Sequence, residues 1–226
     1  MKQALCLQHV PFEGPGVFER ILKRQRFNLT RRIVPTEGLP PDAGDFLLVM
    51  GGPMSVNDPD PWIQQELNFI RDAVHAGVPY LGVCLGSQML AKAMGGRVYK
   101  GPTVEIGMTP IQLTPDGRHD RLLDSFPDSL DVIEWHGEGI ELPPGATALA
   151  SSAHFPVQAF RCGANALGLL FHIELDPQGL DRLCRNCPGD LSRAGLTADG
   201  LRASALPHLD RLHEWAGQLV DRLLNP

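Results

Sequence analysis

Three short stretches of this 226-residue chain carry groups that could do covalent chemistry together. The first is Cys84, flanked two residues away on either side by Gly82 and Gly86. A thiol becomes a nucleophile when it ionises, and a strand-to-helix turn offers it a helix N-terminus whose free N–H groups favour the thiolate. Glycines at those two positions suit a nucleophile elbow, a strained turn that tolerates no bulk beside the reactive residue. The second stretch is His172-Ile173-Glu174. It supplies an imidazole to take the thiol proton and a carboxylate to orient that imidazole, the two groups a cysteine nucleophile needs from elsewhere. The third is Gly51-Gly52-Pro53, where the Gly52 N–H could join the Leu85 N–H in holding an oxyanion. Together they point to acyl transfer through a thioester. Taken singly, each has an ordinary reading as a core cysteine, a strand-end His–Glu pair and a tight turn.

These residues need elements to position them. An apolar run at residues 78–83 stops at Cys84, and Leu85, Met89, Leu90, Ala93 and Met94 follow at helical spacing. Earlier apolar runs at 3–10, 28–34 and 45–50 read as strands. Between them lie a helical segment carrying Val17, Phe18, Ile21 and Leu22, and another opening at Asp60 or Pro61 and closing at Gly77. Strand and helix alternating in this way predict an α/β fold, a three-layer open and mostly parallel sheet with helices on both faces. After Gly96 the pattern changes to Pro- and Gly-punctuated runs at 97–100, 107–113, 130–135, 146–150, 157–160 and 167–172. These predict a small antiparallel extension. A strand ending at His172 would put Glu174 on the same side as His172. From Asp176 onward the chain reads as helical, most clearly over 206–224, so residues 1–175 form the expected catalytic domain and 176–226 a helical segment packed on it.

Composition excludes several function classes. A formal net charge of −6 argues against nucleic-acid binding, and the basic group Arg20, Lys23, Arg24, Arg26, Arg31 and Arg32 reads as a solvated face. No apolar run is long enough for a membrane span, and residues 1–10 lack a secretory pattern, so the expected location is cytoplasmic. Five scattered cysteines suit reduced thiols, and Cys184 and Cys187 form a C-x-x-C with no second pair nearby to complete a zinc site.

A longer set of motifs runs through the chain in order: Gln8-His9, Glu13-Gly14-Pro15-Gly16, Gly51-Gly52-Pro53-Met54-Ser55, Leu81 to Gln88, Glu105-Ile106-Gly107, Trp135-His136-Gly137-Glu138, Gln158-Ala159-Phe160 and Phe171 to Glu174. In these residues the chain resembles the class I (triad) glutamine amidotransferases, especially stand-alone members similar to the glutaminase domain of GMP synthase. The resemblance implies Cys84 as nucleophile, His172 as base, Glu174 as its orienter, and Gly52 and Leu85 as oxyanion donors. It also implies Gln88 as a substrate-binding side chain, with backbone near Met54, Trp135 and His136 lining the pocket. The implied reaction is hydrolysis of the glutamine side-chain amide with release of ammonia, without metal or organic cofactor. The small-molecule substrate would be glutamine or a γ-glutamyl amide. The chain has no recognisable synthetase domain or phosphate loop, so an ammonia-accepting synthetase would be a separate partner. Alternatives are a γ-glutamyl amide or peptide hydrolase with the same triad, and a non-catalytic regulator binding a small molecule or partner. The family usually writes Gln-Phe-His-Pro-Glu where this chain has Leu170-Phe171-His172-Ile173-Glu174. Without proline the backbone between base and orienter loses a fixed φ, which predicts a looser pair.

Overall fold

The computed structural model describes residues 2–225. In chain order it runs through β1 (Lys2–Gln8), α1 (Val17–Arg24), β2 (Phe27–Ile33), α2 (Val34–Glu37), β3 (Phe46–Val49), α3 (Pro61–His75), β4 (Tyr80–Val83) and α4 (Leu85–Ala93). It continues with β5 (Arg97–Leu113), α5 (Pro115–His119), β6 (Ser129–Glu141), β7 (Thr147–Ser151), β8 (Ala159–Cys162) and β9 (Ala166–Leu169). Helices α6 (Pro177–Asn186), α7 (Pro188–Arg193), α8 (Ala198–Ala205) and α9 (Leu209–Leu224) close the described chain.

One nine-stranded sheet holds all the strands in the order β2-β1-β3-β4-β9-β8-β7-β5-β6. From β2 to β9 every neighbouring pair is parallel, and from β9 to β6 every pair is antiparallel. The central parallel strands β3 and β4 are buried at every position because both faces are covered, whereas β2 at the edge is polar and largely exposed. Successive side chains divide between two cores: Ala4, Cys6, Phe46 and Leu48 join one cluster with α1 and α9, while Leu5, Leu7, Leu47 and Val49 join the other with α3 and α4. That division is the period-2 geometry of a strand at work, and it makes the three layers.

Two departures from the sequence reading bear on the site. The runs at 97–100 and 107–113 are one strand, β5, because Gly101 and Pro102 are absorbed by a register shift between Lys100 and Glu105 rather than ending the ladder against β6. The run expected to end at His172 stops at Leu169. Beyond it, Leu170 N–H donates to Gln158 at 2.8 Å and His172 N–H donates to Ile133 of β6 at 2.7 Å, so the chain passes from one side of the antiparallel block to another. His172 is therefore held by a single bridge and not by a strand end.

Packing is close around the turn between β4 and α4. A Cβ on Gly82 would come within 2.5 Å of the Gly86 carbonyl oxygen, and one on Gly86 would collide with the Val49 carbonyl oxygen. Both obstacles are backbone. Gly86→Ala is therefore expected to cost at least about 1–3 kcal/mol, read as a lower urea midpoint at unchanged slope. An unchanged midpoint would refute the close approach.

Candidate active site

Cys84 is the hinge on which β4 becomes α4. It has φ 51° and ψ −110°, and the only other non-glycine residue with positive φ among those described is Arg26. Holding a non-glycine residue there costs of order 1–3 kcal/mol, so the surroundings must enforce it. Cys84 N–H donates to Leu169 at 2.8 Å, and its carbonyl accepts from Ser87 N–H at 3.0 Å, Gln88 N–H at 3.1 Å and the Ser87 hydroxyl at 2.7 Å. Tyr80 Oη donates to the Gly86 carbonyl at 2.8 Å, bracing the far side of the turn. The thiol is buried at the start of α4, with Sγ 3.7 Å from the Trp135 carbonyl oxygen.

His172 and Glu174 are both buried, and Nδ1 of the imidazole lies 2.7 Å from Oε1 of the carboxylate. The pair closes with isoleucine between them. Ile173 is itself buried among core residues. Glu174 is anchored through its carbonyl, which accepts from Val17 N–H at 2.9 Å. Burial disfavours the charged imidazole, yet the Glu174 charge, the hydrogen bond shared with Cys84 and the one donated to Glu174 carry the His172 pKa well above its ordinary value. Burial pushes the Cys84 thiol up, opposed by the hydrogen bond and charge of His172 and by the Leu85 N–H. The expectation that the helix terminus alone lowers this pKa is too simple: desolvation exceeds it, and ionisation of the thiol depends on the imidazole gaining a proton.

The glycine turn after β3 is gripped from behind. His9 Nδ1 lies 2.9 Å from the Gly51 carbonyl oxygen, and its Nε2 lies 3.1 and 3.2 Å from the two carboxylate oxygens of Glu66 on α3. Accepting both contacts as hydrogen bonds makes the imidazole a donor to Gly51. The peptide between Gly51 and Gly52 is trans, so pinning its carbonyl toward His9 aims the Gly52 N–H the opposite way. The sequence carried no local sign of this clamp, because His9 and Glu66 are 57 residues apart.

Cys84, His172, Gly52, Met54, Gln88, Trp135 and His136 all line one cleft of about 570 Å³. Gln88 Nε2 is 3.4 Å from the Glu138 carbonyl oxygen, and the Trp135 indole N–H donates to Asp190 at 3.0 Å. Leu183, Cys187, Asp190 and Arg193 give the cleft a wall from α6 and α7, and Glu13 enters from the loop after β1. Sequence reasoning missed those wall residues, and it left Glu13 without a role. Behind the cleft, His136 Nε2 lies 3.0 Å from Glu134 and 3.5 Å from Glu105, and Glu105 also accepts from Ser152 at 2.8 Å and Gln158 at 2.7 Å. Burial disfavours the charged form of His136, but hydrogen bonds to Glu105 and Glu134 and their charges raise its pKa, while burial pushes the Glu134 carboxyl up. Among the described residues these three are also the group that could hold a metal ion, with one donor atom from each lying within 4.8 Å of the others. No described helix is long and apolar enough to cross a membrane.

The family model for glutamine amidotransferase class-I matches residues 22–185. A glutamine amidotransferase-like protein of Salmonella typhimurium is 32% identical over 194 residues, covering 82% of this chain and 81% of that one. A glutamine-hydrolysing GMP synthase subunit from Saccharolobus solfataricus is 35% identical over 133 residues, covering 58% of this chain and 68% of that one. Among solved structures, a glutamine amidotransferase from Thermotoga maritima matches with a TM-score of 0.91 at 29% identity, covering 99% of this chain and 98% of that one.

The thiols should differ in reactivity in a fixed order. Burial pushes Cys6 and Cys162 up to about 12, countered only by the charges of Arg31 and Arg161, whereas Cys84 has an imidazole to receive its proton. Limiting iodoacetamide followed by peptide mass mapping is expected to label Cys84 ahead of both. Earlier labelling of Cys6 or Cys162 would contradict the assignment.

Proposed function

The chain belongs to the glutamine amidotransferase class-I family, and from that premise we propose that it hydrolyses the side-chain amide of glutamine through a thioester on Cys84, releasing ammonia. The observation that carries this reading is the meeting, in one cleft, of the Cys84 elbow with the 2.7 Å His172–Glu174 pair. The Cys84 thiolate attacks the amide carbon while His172 holds the thiol proton. The oxyanion accepts hydrogen bonds from the N–H groups of Gly52 and Leu85. His172 then gives its proton to the leaving nitrogen, and ammonia departs. Water, deprotonated by His172, attacks the γ-glutamyl thioester and frees glutamate and the thiol. Glu174 keeps the imidazole in the orientation and tautomer that both proton transfers require. Gln88, one helical turn beyond Cys84, offers its amide to the amino-acid end of the substrate, beside backbone near Met54, Trp135 and His136.

Similarity to the GMP synthase subunit of S. solfataricus supports a synthetase on another polypeptide as the consumer of ammonia. A second reading, hydrolysis of a larger γ-glutamyl amide or peptide by the same triad, is favoured by one observation. A cleft of about 570 Å³ falls in the range that encloses drug-sized ligands, more than a free amino acid fills.

Purified protein should release equimolar glutamate and ammonia from L-glutamine and accumulate a γ-glutamyl adduct on Cys84 after acid quench. Cys84→Ala is expected to abolish both, and His172→Gln to lower kcat by about 10²–10⁴-fold. Turnover surviving in Cys84→Ala would overturn the mechanism.

His9→Leu tests the clamp on the glycine turn. With the Gly51 carbonyl released, kcat is expected to fall by up to about 10²–10³-fold, the cost of one oxyanion donor, with KM nearly unchanged. A folded variant with wild-type kcat would show that the Gly52 N–H needs no such support.

A further inference from the structure

We infer that Glu13 recognises a protonated amine on the substrate, beside the Cys84 thiol. This rests on the reading of Cys84 as nucleophile toward a γ-glutamyl compound and adds the chemistry of what the cleft selects. Glu13 sits in the loop between β1 and α1, and Gln8 Nε2 fastens that loop by donating to the Glu13 carbonyl at 3.2 Å. The residue is half-buried and its carboxyl turns inward. A methyl group built on Gly51 would overlap Glu13 Oε2 and lie 3.5 Å from Cys84 Cβ, so the gap between carboxylate and nucleophile is about one methyl wide.

Three carboxylates line the cleft, and two are engaged. Glu138 accepts from the Ser55 hydroxyl at 2.9 Å, and Asp190 accepts from the Trp135 indole and pairs with Arg193. The Glu13 carboxyl takes no hydrogen bond from any described residue. The two imidazoles whose charges reach Glu13 are committed elsewhere, His172 to Glu174 and His9 to Glu66, while Glu174 and Asp190 add like charge. A carboxylate so placed calls for a ligand that brings both N–H donors and positive charge, and a primary ammonium does so.

The charge on Glu13 also matters to its neighbour. Burial lifts its pKa from 4.5 to about 7, partly offset by His172, and its negative form pushes the Cys84 thiol up. An ammonium bound at Glu13 cancels that charge, so filling the position favours the thiolate. Binding and activation are thereby coupled. The sign with pH follows: Glu13 is ionised above about 7, so affinity for an aminated substrate rises as pH increases through that value.

The ammonium could be the α-amino group of the γ-glutamyl half or a distal amine on the amide side. L-glutamine against its α-N-acetyl derivative tests the first. The γ-glutamyl amide of a short diamine against that of a monoamine of equal length tests the second. Wild-type protein is expected to favour the aminated member of one pair in kcat/KM by about tenfold to a hundredfold, the range of a charged hydrogen bond. Glu13→Gln should erase that preference and Glu13→Asp retain part of it, with folding checked by thermal melts. A folded Glu13→Gln that keeps the full preference overturns the proposal. A second measurement needs no turnover: the pH profile of Cys84 alkylation should move to lower pH in Glu13→Gln and stay in place in Glu13→Asp. A downward shift supports the coupling even if glutamine proves not to be hydrolysed, and an unchanged profile overturns it.

Discussion

The approach of the α4 N-terminus to the ends of β3 and β4 is the constraint on which the site depends. Gly86 lies against the Val49 carbonyl and Gly82 against the backbone of Gly86, leaving no room for a side chain at either place. Only with these two surfaces in contact can Cys84 be forced to φ 51° and its sulfur set at the head of the helix. The parallel sheet supplies the stiffness. β3 and β4 are buried on both faces, and their side chains anchor in both cores, so the strain at one residue is spread over two layers.

Electrostatics are arranged around that fixed point in a consistent way. Two buried imidazoles, His172 and His9, each meet a buried carboxylate, and each also bears on a reacting position: His172 on the sulfur, His9 on the glycine turn. A third, His136, is bound into the network with Glu105 and Glu134 and braces the strand whose Trp135 carbonyl faces the sulfur. Burying so many ionisable groups stabilises the fold poorly, since desolvation offsets most of the attraction. Their value lies in direction: each fixes the orientation of one ring, carbonyl or N–H that the proposed chemistry uses.

Local patterns make the elbow legible from the amino-acid order alone. Gly82, Cys84 and Gly86 sit at the required spacing, and the apolar period changes from strand to helix at the cysteine. The His172–Glu174 pair is legible as residue types but not as geometry, because a bridge to Ile133 of β6 places His172, and pairing across 39 positions leaves no mark in the sequence around it. The His9–Glu66 clamp and the wall from α6 and α7 are hidden for the same reason. Glu13 is visible within a motif, yet only its position over Gly51 gives the carboxylate meaning. Isoleucine at 173 reads as a weakness in the sequence; its burial in the core and the 2.7 Å approach of His172 to Glu174 come from contacts that the local order does not reveal.

The bridge between His172 and Ile133 also ties the site to a distant strand of the sheet. The sulfur follows β4, while the imidazole, on the chain leaving β9, is bridged to β6, with β9, β8, β7 and β5 lying between β4 and β6 in strand order. The imidazole is thus tied on two sides, by the chain leaving β9 at Leu169 and by the bridge to β6, so its place opposite the thiol depends on the register of every strand between them. Since a displacement of about 1 Å at a reacting group can change a rate on the order of a hundredfold, strand register this far from the cleft counts toward the proposed chemistry as much as the residues in it.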